Sequence, residues 1–209
     1  MSVMRSATNE PIFVTSAVPP VLVRTFEREE YARQFLAGDV RFGLLQYYRE
    51  IEDGRRDEGE GRASIRWNLE AEDPALHNVT YTGTSLNPYY VLCASDPKRK
   101  GTAANFGAFS VQIDRPLKLL ERICKAWKSD ARASGEACVV PILYNKNDLV
   151  APPPYLIAPP CLVYAQKATK HSHEAEYRYV ISCRVGLPEE SFITLRLGPI
   201  DDICSPPLN

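Results

Sequence analysis

Two carboxylates and a guanidinium recur at alternate positions in His173-Glu174-Ala175-Glu176-Tyr177-Arg178-Tyr179. In an extended strand successive side chains point to opposite faces. Ala175, Tyr177, Tyr179, Ile181 and Cys183 then share an apolar face, while Glu174, Glu176 and Arg178 share the other, beside Val180 and Ser182. Such a row can line a cleft in which one carboxylate stabilises developing positive charge. The plain alternative is a strand face whose charges stand in water.

Three further groupings have chemical potential. Tyr47-Tyr48-Arg49 leads into the charged run Glu50 to Arg62. Adjacent tyrosines offer a stacking surface, and Arg49, Arg55 and Arg56 could meet phosphates bidentately. A solvated loop is the other reading of such a run. Val23-Arg24-Thr25 puts an arginine at the end of an early strand just before a helix, a good place for an anion. Cys93-Ala94-Ser95-Asp96 ends a buried strand in polar residues. A Cys93 nucleophile would need a histidine within reach, and the sequence does not place His77, His171 or His173 beside it.

The elements that must carry these residues follow from periodicity and punctuation. Met1 to Glu10 reads as a flexible leader, and residues 11–209 as a single domain. Ile12 to Val14 and Val21 to Val23 read as strands split by Pro19-Pro20. Thr25 is expected to cap a helix from Phe26 to about Ala37, with Tyr31, Ala32, Phe35 and Leu36 as its stripe and Gly38 at its end. Strands are expected over Ser64 to Leu69, Val79 to Thr82, Tyr89 to Ala94 and Phe106 to Ile113. Asp114 and Pro116 open a second helix carrying Leu117, Leu120, Ile123, Cys124 and Trp127, ended by Gly135. Val139 to Tyr144 reads as a strand and the prolines of 152–160 as a loop. Glu174 to Val185 is the longest strand candidate, with Phe192 to Leu197 as its hairpin partner. Many strands with two firm helices imply an α+β fold. No glycine fingerprint of a dinucleotide or triphosphate fold is present.

Composition narrows the class. Lys and Arg total 25 against 26 Asp and Glu, a net charge of −1, without the basic excess of a general nucleic-acid binder. The six cysteines include no Cys-x-x-Cys pair and none has histidine at zinc spacing. They read as reduced core thiols, which with no apolar run long enough for a membrane span and no signal-peptide pattern implies a cytoplasmic protein.

In order along the chain, Phe35-Leu36-x-Gly38, Arg41-Phe42-Gly43-x-Leu45-x-Tyr47-Tyr48-Arg49, Ile51-Glu52-Asp53-x-x-Arg56-Asp57-x-x-Glu60-Gly61, Tyr90 to Ser95, Phe106-Gly107 and Glu174-x-Glu176-Tyr177-Arg178 are recognisable. Over roughly residues 20 to 185 this resembles a broad group of poorly characterised bacterial proteins, many near defence or toxin genes. More distantly it is similar to the ADP-ribosyltransferase fold, a split β-sandwich of mainly antiparallel strands with a few helices. That resemblance implies an NAD-dependent transferase, a toxin or phage-defence effector. It would cleave the nicotinamide–ribose bond and pass ADP-ribose to a protein or nucleic acid, under a cognate antitoxin or regulatory partner. Glu176 would stabilise the oxocarbenium-like state and Glu174 would orient or deprotonate the acceptor. Arg24, Thr25, Tyr47, Tyr48, Arg49 and Ser95 would form the NAD-binding set. The middle motif has two partial matches, Thr84-Ser85 and Ser95. Two other classes stay open: a non-catalytic binding or sensor module, and a nuclease gathering Mg²⁺ between Asp53, Asp57, Glu58, Glu60, Glu174 and Glu176.

Overall fold

The computed structural model describes residues 18–49, 61–67, 79–84, 87–98, 107–135, 137–144, 150–151, 162–186 and 190–206. Ile12 to Val14, Asp53 to Glu60, Ser85, the prolines of 152–160 and Cys161 lie outside them.

Apolar alternation becomes strand where it is densest. The chain runs β1 (Leu22–Phe26), α1 (Glu29–Leu36), β2 (Asp39–Leu44), a 3-10 turn over Leu45–Arg49, β3 (Arg62–Trp67) and β4 (Val79–Thr84). It continues through β5 (Tyr89–Ser95), β6 (Phe109–Ile113), α2 (Pro116–Lys128), β7 (Cys138–Pro141), β8 (Val150–Ala151) and α3 (Leu162–Ala165). A 3-10 segment over Thr169–Glu174 precedes β9 (Glu176–Ser182), β10 (Phe192–Arg196) and β11 (Cys204–Ser205). This is a mixed α+β protein with mostly antiparallel strands in an open sheet and few helices. No helix among the described residues is long and apolar enough to cross a membrane.

The main sheet has eight strands in the order β10-β2-β5-β1-β6-β11, with β9 on β5 and β7 on β9. One edge of β5 is paired by β9 along its whole length, from Tyr89↔Ser182 to Ser95↔Glu176. The other edge is shared. β2 takes Tyr90 and Val91 through Leu44 and Gly43, β1 takes Ser95 through Val23, and the two strands part between those points. A smaller sheet, β4-β3-β8, pairs β3 antiparallel with β4 and parallel with β8.

Two apolar clusters flank the main sheet. The larger joins Leu22, Phe42, Leu92, Ile113 and Tyr179 to Phe35 of α1 and Leu119, Ile123 and Trp127 of α2. The smaller sets Val91, Val140 and Val180 against Val163 and Tyr164 of α3. Both faces of β9 are therefore covered, and its polar residues are enclosed rather than solvated.

Several expectations are corrected. Thr25 does not cap a helix: it lies in the β1–β6 ladder opposite Ser110, and α1 starts at Glu29 with no side-chain cap. The α1 stripe holds, with Ala32 and Phe35 buried and Tyr31 and Leu36 packed partly against the core. Gly38 ends the helix at φ 92, where a Cβ would collide with the Gly198 carbonyl. The α2 stripe holds at Leu120, Ile123 and Trp127, with Cys124 packed partly against the core, but Leu117 is 41% exposed and Leu119 is buried instead, and the helix ends at Lys128 rather than at Gly135. β10 does not form a hairpin with β9. It pairs with β2, Phe192↔Gly43 to Arg196↔Asp39, since β5 and β7 already hold both edges of β9.

Candidate functional site

Where β1 and β2 part, a cavity of about 120 Å³ opens over β5, lined by Arg24, Tyr48, Cys93, Lys167, Glu174, Glu176 and Arg178 among others. β1 supplies Arg24, the 3-10 turn after β2 supplies Tyr48, β5 supplies Cys93, and β9 supplies Glu176 and Arg178. The segment from α3 to Glu174 folds over this face of β9 and adds Lys167 and Glu174.

Glu176 is 5% exposed and Arg178 2%. Such burial rules out charges standing in water. Arg178 Nε donates to Glu176 Oε1 at 2.6 Å and Nη2 to Oε2 at 3.3 Å. Its Nη1 donates to the Tyr164 carbonyl at 3.0 Å. Lys167 Nζ stands 2.8 Å from Glu176 Oε2 and 2.6 Å from Glu174 Oε2. Burial pushes the Glu176 carboxyl up, but Arg178 and Lys167, helped by hydrogen bonds from Arg178 and the Cys93 thiol, outweigh it. The carboxyl is held well below the usual carboxylate range, and Glu176 is an anion.

Glu174 does not share a strand face with Glu176. It closes the 3-10 segment, and Ala175 between them is left-handed at φ 42. The two carboxylates converge on Lys167 because of that turn rather than through strand alternation. Glu174 Oε1 also meets His171 Nδ1 at 2.8 Å. The backbone N–H of Glu176 donates to the Tyr144 hydroxyl at 2.7 Å.

Arg24 donates to the Cys93 carbonyl at the parting of the sheet, and its Nε is buried with no acceptor among the described residues. Burial lowers its pKa from the ordinary arginine value, though neighbouring Cys93, Tyr48 and Glu176 oppose that. Burial, and then Glu176, push the Cys93 thiol up, so Cys93 is a protonated donor to Glu176 and not a nucleophile. With Cys93 and Tyr48 neutral, three cations (Arg24, Lys167, Arg178) face two carboxylates. The excess positive charge sits on Arg24, whose free Nε suits an anionic ligand.

A second cavity of about 320 Å³ adjoins the first across Arg24, Thr25 and Tyr48, and is lined also by Tyr31, Arg41, Tyr47 and Phe192. Arg41 lies over the Phe192 ring at 3.6 Å, and Tyr47 meets the same ring at 5.0 Å. Tyr48 packs so closely on Gly43 that a Cβ there would meet its hydroxyl at 2.5 Å.

Of the residues singled out from sequence, Glu174, Glu176, Arg24, Thr25, Tyr48 and Ser95 line the first cavity. Arg24, Thr25, Tyr47 and Tyr48 line the second. Arg49 ends the 3-10 turn, and its side chain lies outside the described residues. Thr84 is at the end of β4 and lines neither cavity. Sequence reasoning missed Lys167, Tyr144 and Arg41. For Lys167 the available signal was weak, a cation two residues after the apolar run Leu162–Ala165 and seven before Glu174, with Lys170 between them. Among the described residues no group of three or more histidine, cysteine or acidic side chains is placed to hold a metal ion.

Acid sensitivity follows from this geometry. A carboxyl with a depressed folded pKa contributes stability above its unfolded value of 4.5 and loses it as pH falls below that value. The unfolding free energy from urea titration is therefore expected to fall more steeply below about pH 4.5 in the wild type than in Glu176→Gln, by up to about 1.4 kcal/mol per pH unit. Asp130, also lowered by its bond to Arg132, is common to both proteins, so the difference in slope isolates Glu176. Equal slopes would mean that Glu176 is not held as a buried anion.

No family profile, curated protein or solved structure matches this chain.

Proposed function

We propose that the chain is an ADP-ribosyltransferase-like enzyme that binds NAD across the two adjoining cavities and breaks its nicotinamide–ribose bond. One observation carries this reading. Arg24 from the start of the domain and Glu176 from near its end meet over β5, where β1 and β2 part. A split sheet with an arginine on an early strand and a glutamate on a late one is the arrangement the resemblance implies.

The chemistry fits the side chains. As the glycosidic bond breaks, its electron pair leaves with nicotinamide and positive charge grows on the ribose. Glu176 is ionised and held on two sides, so it can stabilise that charge without reorganising. A carboxylate has about four acceptor sites, and two bonds from Arg178 with one each from Lys167 and Cys93 occupy them, so a ribose hydroxyl would displace the longest, the 3.3 Å bond from Arg178 Nη2. The unpartnered Arg24 Nε would meet the pyrophosphate. Tyr47, Tyr48 and the Arg41–Phe192 pair offer stacking surface for a ring in the larger cavity. Thr25, at the join, and Ser95, in the smaller cavity, would contact the ligand. The acceptor of ADP-ribose is a protein or a nucleic acid, and in a bacterial cell the activity would serve as a toxin or phage-defence effector under a cognate antitoxin or regulator.

The test is nicotinamide release from NAD, with and without cell extract, followed by chromatography. Glu176→Gln is expected to reduce release at least about a hundredfold, and dependence on extract would reveal an acceptor. A folded wild type that neither binds nor cleaves NAD would remove the proposal.

A second reading, a non-catalytic binding or sensor module, is favoured by the engagement of Glu176 with Arg178 and Lys167. It predicts ligand binding that survives Glu176→Gln with no turnover in either protein. A nuclease is disfavoured, because a dication between Glu174 and Glu176 would have to displace the Lys167 ammonium. Its other expected ligands, Asp53, Asp57, Glu58 and Glu60, lie outside the described residues.

A further inference from the structure

We infer that Lys167 is the positioning residue that aims Glu176, and that Glu174 anchors Lys167 instead of serving as a second reacting carboxylate. The inference rests on the reading of Glu176 given above and departs from the acceptor-orienting role implied for Glu174.

The geometry runs in one direction. His171 Nδ1 meets Glu174 Oε1 at 2.8 Å, Glu174 Oε2 meets Lys167 Nζ at 2.6 Å, and Lys167 Nζ meets Glu176 Oε2 at 2.8 Å. Each oxygen of Glu174 is thus committed to a neighbour on its own segment. Glu176 differs because it stands on the sheet and lines the smaller cavity with Cys93 and with Arg24, which borders both cavities. Arg178 already fixes Glu176 Oε1 through Nε. Arg178 Nη2 reaches the opposite oxygen only at 3.3 Å, and Lys167 grips that oxygen at 2.8 Å, so the shorter hold that stops the carboxylate plane from rotating comes from Lys167. Two carboxylates around one site repel, and both can stay ionised only with a cation between them. Lys167 supplies it at 7% exposure, where water screens little. The left-handed Ala175 allows this, turning Glu174 out of the strand and onto the ammonium.

The charged and titratable groups around Glu176 are Arg24 from β1, Tyr48 from the 3-10 turn, Cys93 from β5, Arg178 on β9 itself, Tyr144 beyond β7, and the Lys167–Glu174 pair. Burial keeps Tyr48, Cys93 and Tyr144 in their neutral forms. Removing Lys167 therefore leaves Arg178 and Arg24 as the remaining cations and lets the carboxyl titrate higher.

Two measurements on the intact chain test the relay. The first is the pH profile of nicotinamide release in Lys167→Met, Lys167→Arg and Glu174→Gln. Lys167→Met is expected to lower kcat at least about tenfold with little change in KM and to move the acid limb up by about one pH unit. Lys167→Arg should restore the wild-type limb. Glu174→Gln, whose amide oxygen still accepts from the ammonium, should lose about three- to tenfold in kcat with the limb in place. Glu174→Gln as inactive as Glu176→Gln, together with an unmoved limb in Lys167→Met, would overturn the inference.

The second is the carboxyl titration of Glu176 by carbon NMR, which needs no turnover. An upward shift in Lys167→Met supports the relay even if the wild type does not cleave NAD, in which case only the NAD reading falls. An unchanged titration overturns it. Should Lys167→Met not fold, the double variant with Glu174→Gln removes one cation and one anion together and carries the same titration test.

Discussion

Arg178→Met is expected to destabilise the protein by about 3–5 kcal/mol, the usual cost of removing one partner of a buried ion pair. The side chain is fully enclosed, and its guanidinium holds both Glu176 oxygens and the Tyr164 carbonyl. Methionine fills a similar volume but leaves a carboxylate whose burial is then offset only by Lys167, the Cys93 thiol and the nearby Arg24, and a carbonyl that loses the Arg178 donor. Urea unfolding followed by circular dichroism would measure the loss. Adding Glu176→Gln to Arg178→Met should recover part of it, because the two residues interact directly and their effects cannot add. A loss below about 1 kcal/mol, the range of exposed pairs, would mean that water reaches Glu176 freely and would undercut the dry-site argument.

Trp127→Ala is expected to cost about 3–5 kcal/mol, the range for emptying a large aromatic site in a core. Trp127 is wholly buried on α2, within the cluster that joins the helix to the main sheet. Its indole N–H has no acceptor among the described residues, and a buried unmet donor is itself costly. Trp127→Phe should therefore lose far less than the volume change implies, about 1 kcal/mol or less. Thermal or urea midpoints of the two variants decide the matter. If Phe proves as damaging as Ala, the indole N–H has a bridging partner and the accounting changes.

Local pattern made much of this readable. The alternation of Tyr177, Tyr179, Ile181 and Cys183 marked the core face of β9, and acidic residues in the first turn with Gly38 at the end framed α1. What failed depended on contacts from elsewhere in the chain. Thr25 has a good capping side chain, but pairing with Ser110 draws it into a ladder. Adjacency favoured a β9–β10 hairpin, yet occupied edges on β9 sent β10 to β2. Ala175 carries no mark of a left-handed conformation, since alanine seldom adopts one, so nothing local separates Glu174, at the end of the 3-10 segment, from the strand that follows. Lys167 stands between Gln166 and Lys170 with no local mark of burial, and it is enclosed where two carboxylates meet its ammonium. The acidic cluster expected from Asp53 to Glu60 lies outside the described residues.

The shared edge of β5 has a consequence for how the chain folds. Its neighbours β1 and β2 are made before it, and α1 joins them by a short path. Its full-length partner β9 comes from near the other end of the sequence. During synthesis, Tyr89–Ser95 therefore waits with one bare, apolar edge through the whole of α2 and β7, a liability for any strand that closes late. The step that covers this edge also carries Glu176 to Cys93 and Arg24. Assembly of the sheet and assembly of the site are one event, and a chain stalled before β9 docks has neither.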